Sequence, residues 1–72
     1  MGVFYCVVYT PPGIDEGYKL ACREFVDDLK TKSEAFRIAK KLKSEGNELV
    51  YVDKYEYDDE PGYDALVAYW HI

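Results

Sequence analysis

Cys6, Cys22 and His71 are the side chains of this chain best suited to soft-metal or nucleophilic chemistry, and their spacing argues against both. A structural zinc site takes four ligands and usually draws them from close pairs of cysteines, which are absent here. His71 stands next to the last residue given, and no Ser, Cys or carboxylate is spaced to use it as a base. The two cysteines read instead as small buried hydrophobes. No catalytic residue, no metal and no cofactor is expected, and at 72 residues the chain has little room for a concave pocket of ordinary ligand size. It is not expected to be an enzyme.

Charge is the next candidate for chemistry. Asp53, Glu56, Asp58, Asp59, Glu60 and Asp64 stand close in sequence against Lys54, and oxygen ligands suit hard cations. The spacing is not that of a calcium loop, which sets its ligands at alternate positions ahead of a glycine and closes with a glutamate. A charged turn that guards strand ends is the simpler account. Lys30, Lys32, Arg37, Lys40, Lys41 and Lys43 gather in a second stretch against Glu34, so the molecule is electrostatically two-ended. The net charge of −5 opposes general attraction to nucleic acid, because the phosphate backbone rewards excess Lys and Arg. Nucleic acid is therefore not the expected partner. The alternative reading is a small regulator of nucleic-acid machinery, binding directly through the basic stretch or imitating phosphates with the acidic one.

The feature that points furthest is the tyrosine content. Eight tyrosines lie mostly inside strand-like runs rather than in loops. Tyrosine favours strands, and it is also enriched in interfaces, where it offers a rigid ring and a hydroxyl that tolerates water.

The elements that must position these residues follow from pattern. Thr31-Lys32-Ser33-Glu34 has the form of a capping box, and Ala35, Ile38, Ala39 and Leu42 recur at helical spacing with Phe36 beside them. The spacing predicts a helix from about Lys32 to Glu45, closed by Gly46 and with its polar side basic. Val3 to Thr10 is a strand that ends at Pro11-Pro12-Gly13. Leu49 to Tyr57 and Ala65 to Ile72 form a hairpin centred on Pro61. Tyr18 to Val26 is open to two readings, since Ile14, Tyr18, Ala21, Cys22, Phe25 and Leu29 also fit a helical stripe. Pairing it as a strand around Ile14 sets Cys6 against Cys22 and Val8 against Leu20, which sorts apolar with apolar and favours the strand.

The predicted fold is α+β: one domain over residues 1–72, a two-layer ββαββ sandwich with an antiparallel four-stranded sheet and a helix on one face. The helix covers Phe4, Cys6, Val8, Leu20, Cys22, Val50, Val52, Leu66, Ala68, Trp70 and Ile72. The other face presents Tyr5, Tyr9, Tyr51, Tyr55, Tyr57, Tyr69 and His71, and this is the candidate interaction face. The expected function is that of a non-enzymatic protein-binding module or homodimer that uses it. Val3 to Tyr9 is too short for a membrane span and lacks both a basic flank and a cleavage site. A cytoplasmic location, no membrane association and reduced cysteines are therefore expected.

Overall fold

The computed structural model describes residues 2–58 and 62–72. Strand β1 (Gly2–Thr10) leads through a loop with one 3-10 turn (Glu16–Tyr18) to β2 (Glu24–Leu29), then helix α1 (Lys32–Ser44), β3 (Glu48–Tyr57) and β4 (Asp64–His71). The four strands form one antiparallel sheet in the order β2-β1-β3-β4, with α1 packed on one face, as the α+β sandwich predicted. The predicted hairpin centre at Pro61, with Asp59 and Glu60, lies outside the described residues.

Helix α1 begins where its sequence directs. Thr31 is extended, and its hydroxyl accepts the Glu34 N–H at 3.2 Å, which satisfies one of the free amides of the first turn. At the other end Gly46 takes φ 95° and Asn47 folds back, its Nδ2 donating to the Leu42 carbonyl at 2.8 Å. Lys41 and Lys43 occupy the last turn, where the helix dipole favours cations. Ala35 and Ala39 are wholly buried under the helix, while Phe36, Ile38 and Leu42 flank them at partial exposure.

The core lies between α1 and the sheet and consists of Tyr5, Val7, Leu29, Ala35, Ala39, Val50 and Val52. Val7 pairs directly with Val52 in the two central strands, and both have 0% exposure. The second hairpin follows the expected register through Tyr51 with His71, Val52 with Trp70 and Asp53 with Tyr69. Beyond Lys54 and Ala68 it slips by one residue, so Tyr55 meets Leu66 rather than Val67, and Tyr57 meets Asp64 rather than Ala65. Val67 is the extra residue of a β-bulge. Leu66 consequently leaves the predicted core face and is 51% exposed. Trp70 keeps the helix side but is only half-buried, its ring set edge-on to Phe36 at 5.5 Å.

The first hairpin differs most from expectation. Strand β2 occupies Glu24–Leu29, so Tyr18 to Val26 is mostly loop, and Val7 pairs with Val26 and Val8 with Phe25. A loop of residues 11–23 replaces the symmetric turn around Ile14. On the other side of β1, Val7 meets Val52 and Tyr5 meets Lys54, which puts the odd-numbered residues of β1 toward the helix. A strand alternates with a period of two, so this choice exchanges the two predicted faces of β1 in full. Tyr5 and Tyr9 turn to the helix side, whereas Phe4, Cys6 and Val8 turn away from it. Cys22 is exposed in the loop and does not face Cys6.

Tyr5 is therefore a core residue. Tyr5→Ser should lower the unfolding free energy by about 3 kcal/mol, as large aromatic truncations in cores do. Tyr69→Ser, on a side chain that is 66% exposed, should stay within about 0.5 kcal/mol of the parent. Urea denaturation of the two variants checks the assignment, and equal stabilities would contradict it.

Candidate functional site

The sheet face opposite α1 is assembled from all four strands. Register sets Phe4 opposite Tyr55, Cys6 opposite Asp53 and Val8 opposite Tyr51 along the central pair. Phe25 lies beyond Val8 on one side, and Leu66, Tyr69 and His71 lie beyond Tyr55, Asp53 and Tyr51 on the other. Directly opposed residues share a face in an antiparallel ladder, so these side chains form one surface. Leu20 and Arg23 of the loop, with Leu49, border the same surface around Tyr51, Asp53, Leu66 and Tyr69.

Two groups of stacked rings organise it. Phe4 stacks on Tyr55 with centroids 5.1 Å apart and planes 8° apart, and Tyr57 tilts against Phe4 at 6.0 Å. Tyr51 stacks on His71 at 4.5 Å and 11°, with Tyr69 tilted at 6.3 Å. The Arg23 guanidinium carbon lies 5.5 Å from the Tyr51 centroid, an arrangement in which the ring quadrupole attracts the cation. Arg23 Nε is buried there without a hydrogen-bond partner among the described residues.

The row between the ring groups is partly dehydrated. The Cys6 thiol donates to Asp27 Oδ1 at 3.1 Å, and burial, followed by that carboxylate, pushes its pKa up to about 12. Burial also raises Asp53, opposed by the nearby Arg23 charge. Burial and then the Asp53 charge raise Tyr55. All three shifts favour the neutral form, which is the effect of removing water from ionisable groups. Cys6 is thus held as a thiol and makes a poor nucleophile.

Of the predicted face, the structure brings together Tyr51, Tyr55, Tyr57, Tyr69 and His71. Tyr5 and Tyr9 are not part of it. Tyr5 is 9% exposed in the helix-side core, and Tyr9 packs at that core's margin, its hydroxyl pKa raised by burial and by Glu24. Sequence reasoning missed Phe4, Phe25, Leu66 and Leu20 as face residues. The signal that would have recovered Phe25 is the Thr31 cap, since a short link to the helix requires β2 to end near Leu29.

The basic residues of α1 lie away from this face, whereas Asp53 and Asp64 of the acidic stretch belong to it. Lys30, Lys32, Arg37, Lys40, Lys41 and Lys43 are all exposed, and Lys32 Nζ lies 4.6 Å from the Trp70 ring centroid. Asp58 and Asp64 are exposed at the far end of the sheet. Among the described residues, no group of three His, Cys, Asp or Glu side chains is placed to hold a metal ion, and no helix is long and apolar enough to cross a membrane. No protein-family model, no curated protein and no solved structure matches the chain.

The two cysteines should separate cleanly in solution. Thiol labelling of native protein should be fast at Cys22 and slow at Cys6, becoming equal in denaturant. Because the folded-state pKa of Cys6 lies above its ordinary 9.0, its contribution to stability is complete below about pH 9 and is lost as pH rises toward 12. Cys6→Ala should remove that part of the alkaline decline in urea midpoints, and an unchanged slope would show that Cys6 is not shielded.

Proposed function

We propose that this chain is a non-enzymatic, cytoplasmic protein-binding module that docks an apolar surface of a partner protein on the sheet face opposite α1. The observation that carries this reading is the exposure of Leu20 (74%), Phe25 (61%), Leu66 (51%) and Tyr69 (66%) together on that face. Single exposed apolar side chains are ordinary, but a contiguous group of large ones on a small domain is a common mark of an interaction surface. Its composition fits an interface centre, with aromatic rings and one arginine. The stacked rings also hold their rotamers before docking, which lowers the entropy lost on binding.

The protonated state of Cys6 and the stacking of His71 on Tyr51 support a binding role over a catalytic one. A second reading, regulation of nucleic-acid machinery, is favoured by the six exposed cations between Lys30 and Lys43. Direct binding through that side would appear as affinity for DNA or RNA that falls steeply with salt.

Leu20→Ser combined with Phe25→Ser tests the main reading, because both side chains are exposed and lie outside the helix-side core. The double variant should unfold at the parent's urea midpoint yet bind its partner at least about thirtyfold more weakly, the loss typical of one truncated interface anchor. Quantitative affinity purification from host extract, parent against variant, provides the measurement. An identical set of captured proteins in identical amounts would sink the proposal.

A further inference from the structure

The two edges of the sheet are built differently. Edge strand β2 is six residues long, carries Glu24, Asp27 and Asp28, and is bulged where Asp28 takes φ 59°. Short length and charge are devices that keep an edge from pairing with another chain, and β4, which carries a bulge of its own at Val67, has less of both. Edge strand β4 is eight residues long and has no charge and no proline from Ala65 to Trp70. Leu66, Val67 and Tyr69 are exposed along it. Such an edge is a template for a further strand.

We infer that β4 pairs with β4 of a second copy of this chain, antiparallel across a two-fold axis, to give a continuous eight-stranded sheet. Side-chain direction restricts the register. Asp64 and Leu66 share the open face with Tyr69 and His71, while Ala65, Ala68 and Trp70 share the helix side, because the bulge at Val67 shifts the alternation by one residue. In an antiparallel pair, opposed residues must point to the same side. The full-length register that meets this condition on both halves of β4 sets Asp64 against His71, Ala65 against Trp70 and Leu66 against Tyr69. An unbulged strand could not use it, because each of these pairs would then point to opposite faces.

Backbone direction agrees. Ile72 N–H donates to the Val50 carbonyl at 2.9 Å, so the helix-side residues at that end of β4 turn their amides to β3. Alternation then turns the amides of Tyr69 and His71 to the free edge. Beyond the bulge the same alternation in β3 turns Glu56 to β4, and it leaves Leu66 and Asp64 facing the free edge. The residues opposed in the inferred register are therefore those whose backbone groups face the free edge. Chemistry at the two ends is complementary as well: the Asp64 carboxylate of each copy meets the His71 imidazole of the other, which can donate an N–H in either protonation state. Small Ala65 opposite large Trp70 leaves room for the indole. The inference does not depend on the open-face partner.

Sedimentation equilibrium from micromolar to millimolar concentration tests it. The parent should show a reversible monomer–dimer equilibrium. Asp64→Lys alone and His71→Glu alone should each weaken the dimer about tenfold, since every change acts twice across the axis. The two changes combined exchange donor for acceptor and should return the dimer to within about threefold of the parent. Tyr69→Pro removes an edge amide and should give monomer, with its folded state verified by circular dichroism. The Leu20→Ser, Phe25→Ser variant should dimerise as the parent does. A parent that stays monomeric, a double variant no better than either single one, or a dimer lost in the Leu20, Phe25 variant would overturn the inference. Loss of partner capture without loss of the dimer bears on the open face alone.

Discussion

Val7 and Val52 face each other at the middle of the two central strands, and Ala35 and Ala39 of α1 complete their burial. The arrangement is tight because the helix contributes methyl groups where it is closest to the sheet, while the larger Phe36, Ile38 and Leu42 reach out to its sides. That seam determines the rest. With Val7 committed to the helix side, Tyr5 must join the core, and Phe4, Cys6 and Val8 must be accommodated on the side that the helix leaves uncovered.

The way the protein handles that uncovered side explains its chemistry. Rings stack on rings, Arg23 lies on Tyr51, and Asp27 accepts the thiol of Cys6. The loop of residues 11–23 is fastened at its base, where the buried Thr10 hydroxyl donates to the Lys19 carbonyl at 2.8 Å and Lys19 Nζ reaches Glu48 at 3.0 Å and Glu16 at 3.1 Å. These contacts desolvate the centre of the face and leave its rim of Leu20, Phe25, Leu66 and Tyr69 in water.

Much of this was legible in the sequence, and the parts that were not have physical reasons. Helix α1 declared itself through a cap, a stripe and a terminal glycine that agree with one another. For β3 and β4 the turn carried the register, since centring the hairpin on Pro61 sets Tyr51 with His71 and Val52 with Trp70 although Ala65 to Trp70 is apolar throughout. Strand β1 does not alternate, because Val3 to Tyr9 is apolar or aromatic at every position. Its facing had to be inferred from a neighbour, and the neighbour was misplaced: Cys22 and Leu20 resemble strand residues but lie in a long loop. The bulges were hidden too. Asp28 at φ 59° and Leu49 at φ 50° occupy a region that usually calls for glycine, so the sequence gives no mark of the extra residues.

The position of β1 within the sheet has a consequence for how the chain reaches its fold. It precedes the other three strands in the chain and is also a central one, and its ladder with β3 runs from Gly2 opposite Tyr57 to Thr10 opposite Glu48. During synthesis β1, β2 and α1 can assemble early, yet one side of β1 stays an open ladder until β3 has emerged. Closing pairs that are so distant in sequence requires a large loss of chain entropy before any burial offsets it, so this step is expected to limit the folding rate. The early assembly is then the species most exposed to aberrant pairing, with the Val7 edge bare in a crowded cell.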